Sequence, residues 1–296
     1  MQMKEILYLS VGDVRIGLRS DVPLGFLDGT AAFRCEACLP DVWIDVIAAE
    51  VLPATPNNPC GDDGIFQYYQ DGSLCYKKAK AGQDGAVSLT VYAPDFSRIE
   101  LYLNEGAFPD VVQTADKVLQ LLPMRQMLAH FQAMLLHSSR IAVCDKAILF
   151  TAPSGTGKTT QAKLWNRFEK AEIVSNDRTI LRKQGNDFSS YGYPVDGSSP
   201  IYSRKWLPLG AIVVLCQGAE NHIRRLPVRQ ALKCLTEQTA MDFRDTEERM
   251  TIQQLWLDLL AVYPVYQLIC TPDQDAVTCL RKQLEKDEVI AVVSDS

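Results

Sequence analysis

Residues 147–160 read Ala-Ile-Leu-Phe-Thr-Ala-Pro-Ser-Gly-Thr-Gly-Lys-Thr-Thr, and this stretch decides the fold. A short apolar run ends in a glycine-rich turn, and the residues that follow, Thr159 to Phe168, have helical composition. Strand, glycine loop and helix in that order are the context in which a phosphate-binding loop works. Gly155 and Gly157 let the backbone turn so that N–H groups point inward, and the helix adds the positive end of its dipole. Lys158 supplies a charge for the β and γ phosphates, and the Thr159 hydroxyl is placed to ligate Mg²⁺. Ser154, Thr156 and Thr160 complete the cradle. The first position of the pattern G-x-x-x-x-G-K-[ST] is Ala152, small enough to admit the turn. The alternative is a chance glycine-rich strand-to-helix turn.

Such a loop needs an acidic residue at the end of a neighbouring strand. The run Glu172-Ile-Val-Ser-Asn-Asp177 ends on one, and Asp177 is the candidate metal ligand or base; the ordinary alternative is a turn or capping aspartate. Upstream, His137 stands in Leu-Leu-His-Ser-Ser, on the strand expected to pair with the one entering the loop. A lone histidine there is a core residue or a member of the site.

Farther out, residues 1–112 read as β-rich. Val42-x-Ile44-x-Val46 alternates, Ile65 to Tyr69 is β-branched and aromatic, and Asp71-Gly72 and Asp84-Gly85 are hairpin signals. No catalytic motif stands out in this half. From Thr114 the period becomes helical, with Val118, Leu121, Leu122, Met127, Leu128, Phe131, Met134 and Leu135 at spacings of three and four and Pro123 as a break. That stripe reads as a packing face. The domains are accordingly expected at 1–112 and 113–296. Downstream, 191–205 is a loop rich in Gly, Ser and Pro, where Ser198, Arg204 and Lys205 are candidates to meet substrate or to be ordinary surface groups.

The 296 residues carry 30 Lys plus Arg against 36 Asp plus Glu, a net charge of −6, which argues against a protein devoted to nucleic acid. No apolar run approaches a membrane span, and no secretory leader is read, so the expected location is cytoplasmic without membrane attachment. Nine scattered cysteines fit reduced thiols, with Cys35-x-x-Cys38 as half of a zinc or redox site at most.

The segment from Leu136 to Leu181, with Leu-His-Ser-Ser-Arg-Ile, the loop itself and Ile-Val-Ser-Asn-Asp-Arg-Thr-Ile-Leu, resembles the nucleotide-binding core of HPr kinase/phosphorylase and its bacterial relatives. The resemblance implies an α/β fold shared with phosphoenolpyruvate carboxykinase, here a carboxykinase-like P-loop domain preceded by a β-rich N-terminal domain. It also implies a kinase that uses ATP and Mg²⁺ on a serine or other hydroxyl of a protein or peptide, with His137, Lys158 and Asp177 catalytic. Where that family has two adjacent acids, this chain has Asn176-Asp177. The alternative is therefore a catalytically weak or inactive nucleotide-binding scaffold or regulator of the same fold. A carboxykinase proper is disfavoured, since no second constellation of metal-binding Lys and His is recognisable. The acceptor's identity and the oligomeric state, a homo-oligomer included, stay open.

Overall fold

The computed structural model describes residues 5–81, 85–104, 106, 114–195, 201–242 and 244–292. The chain is a mixed α/β protein that divides into two compact units, one ending at His130 and the other starting at Phe131.

In the first unit the strands are β1 (Glu5–Val11), β2 (Val14–Ser20), β3 (Val42–Ala49), β4 (Gly61–Asp62), β5 (Phe66–Asp71), β6 (Leu74–Ala81), β7 (Gly85–Tyr92) and β8 (Ile99–Asn104). They form one sheet in the order β1-β2-β3-β8-β7-β6-β5-β4. The alternation expected at Val42, Ile44 and Val46 is observed, each being at most 2% exposed while its neighbours lie nearer the surface. A short helix, α1 (Asp28–Ala31), and two more, α2 (Ala115–Leu121) and α3 (Met124–His130), belong to the same unit.

The compact units thus divide at 130/131 rather than at 112/113, where the hydrophobic period changes. Buried polar groups explain why. The Asp116 carboxylate of α2 accepts from the Leu27 and Thr30 amides and from the Thr30 hydroxyl at 2.6 to 3.1 Å. The Lys77 ammonium of β6 donates to the Gln120 and Leu122 carbonyls at 3.3 and 2.8 Å, where α2 ends. Pro123 forces Leu122 into an extended conformation (ψ 158°) and separates α2 from α3. The helical stripe stops at His130; Met134 and Leu135, read with it in sequence, are buried strand residues instead.

The second unit contains β9 (Ala133–Val143), β10 (Lys146–Thr151), α4 (Lys158–Glu169), β11 (Glu172–Ser175), β12 (Arg178–Gln184), β13 (Asp187–Gly192), β14 (Leu207–Gln217) and β15 (His222–Arg225). These are followed by α5 (Val228–Glu237), α6 (Thr246–Val262), β16 (Val265–Cys270) and α7 (Gln274–Lys286). β10 pairs with both β9 and β14, so β10, β9, β12, β13 and β14 close a circuit of pairings, which β16 and β15 extend beyond β14. The hairpin of β12 and β13 was not anticipated: Tyr191 and Gly192, read as loop, are strand.

Helices α4 and α7 cover one face through Ile148, Phe150, Ala162, Trp165, Val277 and Leu280, and α5 and α6 cover the other through Leu149, Leu235, Ile252 and Trp256. Strands β10, β14 and β16 run parallel, and their carboxyl ends lie on one edge. Among the described residues no helix is long and apolar enough to cross a membrane, and no disulfide joins any of the nine cysteines.

Candidate functional site

The loop after β10 has the expected backbone. Gly155 and Gly157 take φ values of 78° and 121°, a region that residues with a Cβ rarely adopt. Nothing stands within 4 Å of where a Cβ would lie at either, so the space over the loop is open. Gly157 is the N-cap of α4 without a side-chain hydrogen bond, and the first intrahelical bond runs from the Gln161 amide to the Gly157 carbonyl. The preceding helical amides have no acceptor within the helix. Gln217, at the end of β14, donates to the Thr156 carbonyl at 3.4 Å and braces the loop.

Lys158 is only 7% exposed and folds back onto its own loop, its ammonium donating to the Ala152 carbonyl at 2.8 Å and the Pro153 carbonyl at 3.3 Å. Burial lowers its pKa, with the charge of Asp177 acting the other way. Asp177 occupies the two-residue turn between β11 and β12, and its carbonyl accepts from the Ser138 amide at 3.1 Å. That bond fixes the turn against β9.

His137 lies one residue earlier on β9, with its Nε2 3.5 Å from Asp177 Oδ1. Its carbonyl accepts from the Thr151 hydroxyl at 2.9 Å, which ties the backbone of the histidine to the end of β10. Burial, and next the positive charge of Lys158, push the imidazole below its ordinary value, against the pull of Asp177 and a hydrogen bond with Gln238. An imidazole below 6.5 is neutral at pH 7 and can take up a proton. Lys158, His137 and Asp177 are thus brought into mutual electrostatic range from three separate segments.

An open cleft of about 300 Å³ lies beside the pair, lined by Leu135, His137, Asp177, Arg178 and residues 237–240. Arg178, Glu237 and Gln238 were not singled out in the sequence. Arg178 was legible in principle, since it adjoins Asp177 and pairs directly opposite His137; the end of α5 gives no signal of its own.

Other expected residues fall elsewhere. The Lys205 ammonium forms an exposed ion pair with Glu172 at 2.5 Å. Glu172 heads β11 opposite Ala142, whereas Asp177 follows the other end of that strand, so Lys205 is not brought to the loop. Arg204 is exposed and outside the cleft lining. Ser198 lies outside the described residues. Asn176, beside Asp177, keeps its side-chain oxygen buried with no hydrogen-bond partner. No group of three or more His, Cys, Asp or Glu able to hold a metal ion occurs among the described residues.

No protein-family model matches this chain, and no curated protein does. Among solved structures it is similar to the Hpr(Ser) kinase/phosphatase from Coxiella burnetii, with a TM-score of 0.32 and 10% identity over 52% of this chain and 98% of that one. At that distance the likeness assigns no function.

Proposed function

We propose that residues 131–296 bind ATP with Mg²⁺ and transfer the γ-phosphoryl group to a hydroxyl of a protein or peptide. The observation that carries this reading is the convergence of Lys158, His137 and Asp177 at the carboxyl end of β10, His137 Nε2 being 3.5 Å from Asp177 Oδ1. The oxygen donors suit Mg²⁺, which takes one or two protein oxygens and leaves its other positions to phosphate and water. Thr159 and Asp177 would hold it, and the partnerless Asn176 side-chain oxygen is a neutral donor adjoining Asp177. When bound, the ion neutralises phosphate charge.

The loop amides and the α4 terminus hold the phosphates in place, and Lys158 exchanges its two loop carbonyls for phosphate oxygens. Transfer of this kind needs positioning and charge stabilisation more than covalent help. A single carboxylate cannot both ligate a metal and accept a proton with full effect. The neutral His137 beside it supplies a second base for the acceptor hydroxyl.

The test is incubation of the protein with labelled ATP, Mg²⁺ and hydroxyl acceptors. Label on the acceptor, lost in Lys158→Ala, is the expected result; a Lys158→Ala protein that binds and turns over ATP like wild type overturns the reading. A second reading, a nucleotide-binding scaffold, is favoured by Asn176, whose amide replaces a carboxylate. Transfer that occurs only in Asn176→Asp supports that scaffold.

A further inference from the structure

The cleft beside His137 is electrically lopsided. Arg178 and His137 are direct partners across the β9–β12 ladder, so their side chains leave the same face. On the opposite flank of β9 the His137 amide donates to the Gln238 carbonyl at 2.9 Å, and Leu136 bridges Thr239. Those contacts carry Glu237 to that flank, where it lines the cleft with Arg178 and His137. The cleft therefore has Arg178 on one flank of β9, beside Asp177 and the imidazole, and Glu237 on the other.

Both side chains reach solvent. Arg178 forms a loose ion pair with Asp177, Nε to Oδ2 4.0 Å, too long for a hydrogen bond, and the side chain is 45% exposed. Glu237 is exposed and enters no ion pair among the described residues. Two strand spacings separate the flanks, on the order of 10 Å. In an extended peptide the residues two before and two after a serine share its face and stand about 13 Å apart. Flexible arginine and glutamate side chains span the difference.

Resting on the kinase reading above, we propose that the acceptor is bipolar: its hydroxyl is flanked by an anionic group that Arg178 binds and a cationic group that Glu237 binds. The source of that chemistry is a charged peptide or a small zwitterionic hydroxy compound. In either, the hydroxyl oxygen bonds to the γ phosphorus as the bond to the β–γ bridging oxygen breaks. ADP leaves with that electron pair, and the hydroxyl proton passes to His137 or Asp177 and then to solvent.

The experiment uses the full chain with Mg²⁺ and ATP. Capped five-residue peptides carry a central serine with Asp and Lys at the ends, the same charges in reverse order, or Gln at both ends; free L-serine and L-homoserine form the small-molecule arm. The expected result is a KM about tenfold lower for at least one bipolar acceptor than for the Gln peptide. Arg178→Leu and Glu237→Gln should each remove that advantage, bringing the KM of the preferred charged acceptor up to that of the Gln peptide measured with the same variant. The double variant Arg178→Glu with Glu237→Arg should exchange the preference between the two peptide orders where peptides are the substrate. Equal KM values for charged and neutral acceptors, or single variants that retain the advantage, overturn the proposal. Calorimetry on the same samples separates the two levels: wild type that binds and hydrolyses ATP without bipolar preference overturns the acceptor assignment alone, and wild type that does not bind ATP overturns the kinase reading and this one with it.

Discussion

At the residue scale, the proposed chemistry rests on two groups, His137 and Lys158, whose ordinary ionisation the fold has shifted. His137 is held below its usual range mainly by burial and by Lys158, so its neutral form persists to lower pH than in a free histidine. If it accepts the hydroxyl proton, the acid limb of the kcat profile falls with an apparent pKa below 6.5, and His137→Asn abolishes that limb; pH–rate measurements check this. Lys158→Ala removes the one ammonium in the loop and is expected to weaken ATP binding by about a hundredfold, read by calorimetry. The strand, glycine loop and helix around Lys158 were legible in the sequence as local pattern, whereas His137 was singled out through a resemblance and strand pairing is what sets it 3.5 Å from Asp177. Arg178 and Glu237 were not, because their proximity to His137 arises from strand pairing and from the end of a helix distant in sequence.

At the scale of elements, α2 shows how buried polar bonds override periodicity. Its apolar stripe reads straight into β9, yet Asp116 binds it to α1 and Lys77 holds its carboxyl end. Asp116→Ala strips the buried Thr30 amide of its acceptor and should cost about 2–3 kcal/mol in unfolding free energy, measured by urea denaturation. Lys77 adds a pH signature. Burial, and then the charge of Arg125, push its amine down to about 7 from 10.5. The unfolded chain thus binds the proton more tightly between those values, so the stabilisation present above pH 10.5 is lost as pH falls toward 7. Denaturation of the wild type at stepped pH should show stability rising by up to about 1.4 kcal/mol per pH unit across this window, a slope that Lys77→Met removes. The strand-turn-helix of β10 and α4 was readable from local pattern alone. The β12–β13 hairpin was hidden because Arg182-Lys-Gln-Gly-Asn-Asp187 is polar and its partners lie across the circuit.

At the scale of the whole molecule, each unit buries its own apolar residues, Leu9, Ile16, Leu18 and Ile44 among them in the first, and the proposed chemistry falls wholly in the second. A fragment starting at Phe131 is expected to fold and retain ATP affinity within a few-fold of the full chain, whereas one starting at 113 carries two helices stripped of their buried partners. Circular dichroism and calorimetry of the two fragments distinguish these outcomes. Within that unit β9 pairs with β10, β11 and β12 at once and presents His137, Ser138, Ser139 and Arg140 in succession. Arg140, fully buried, spends one nitrogen on the Ser190 and Lys205 carbonyls and so ties the same strand to β13 and to the segment before β14. Because side chains alternate with a period of two, a single-residue insertion or deletion in β9 would exchange the faces of the residues on one side of it and break either the His137–Arg178 pairing or the Arg140 anchor. The eleven residues of β9 thus act as a ruler: its length sets the register of the proposed site and of the buried Arg140 anchor at once, a double duty that no connecting loop carries among the described residues of the unit.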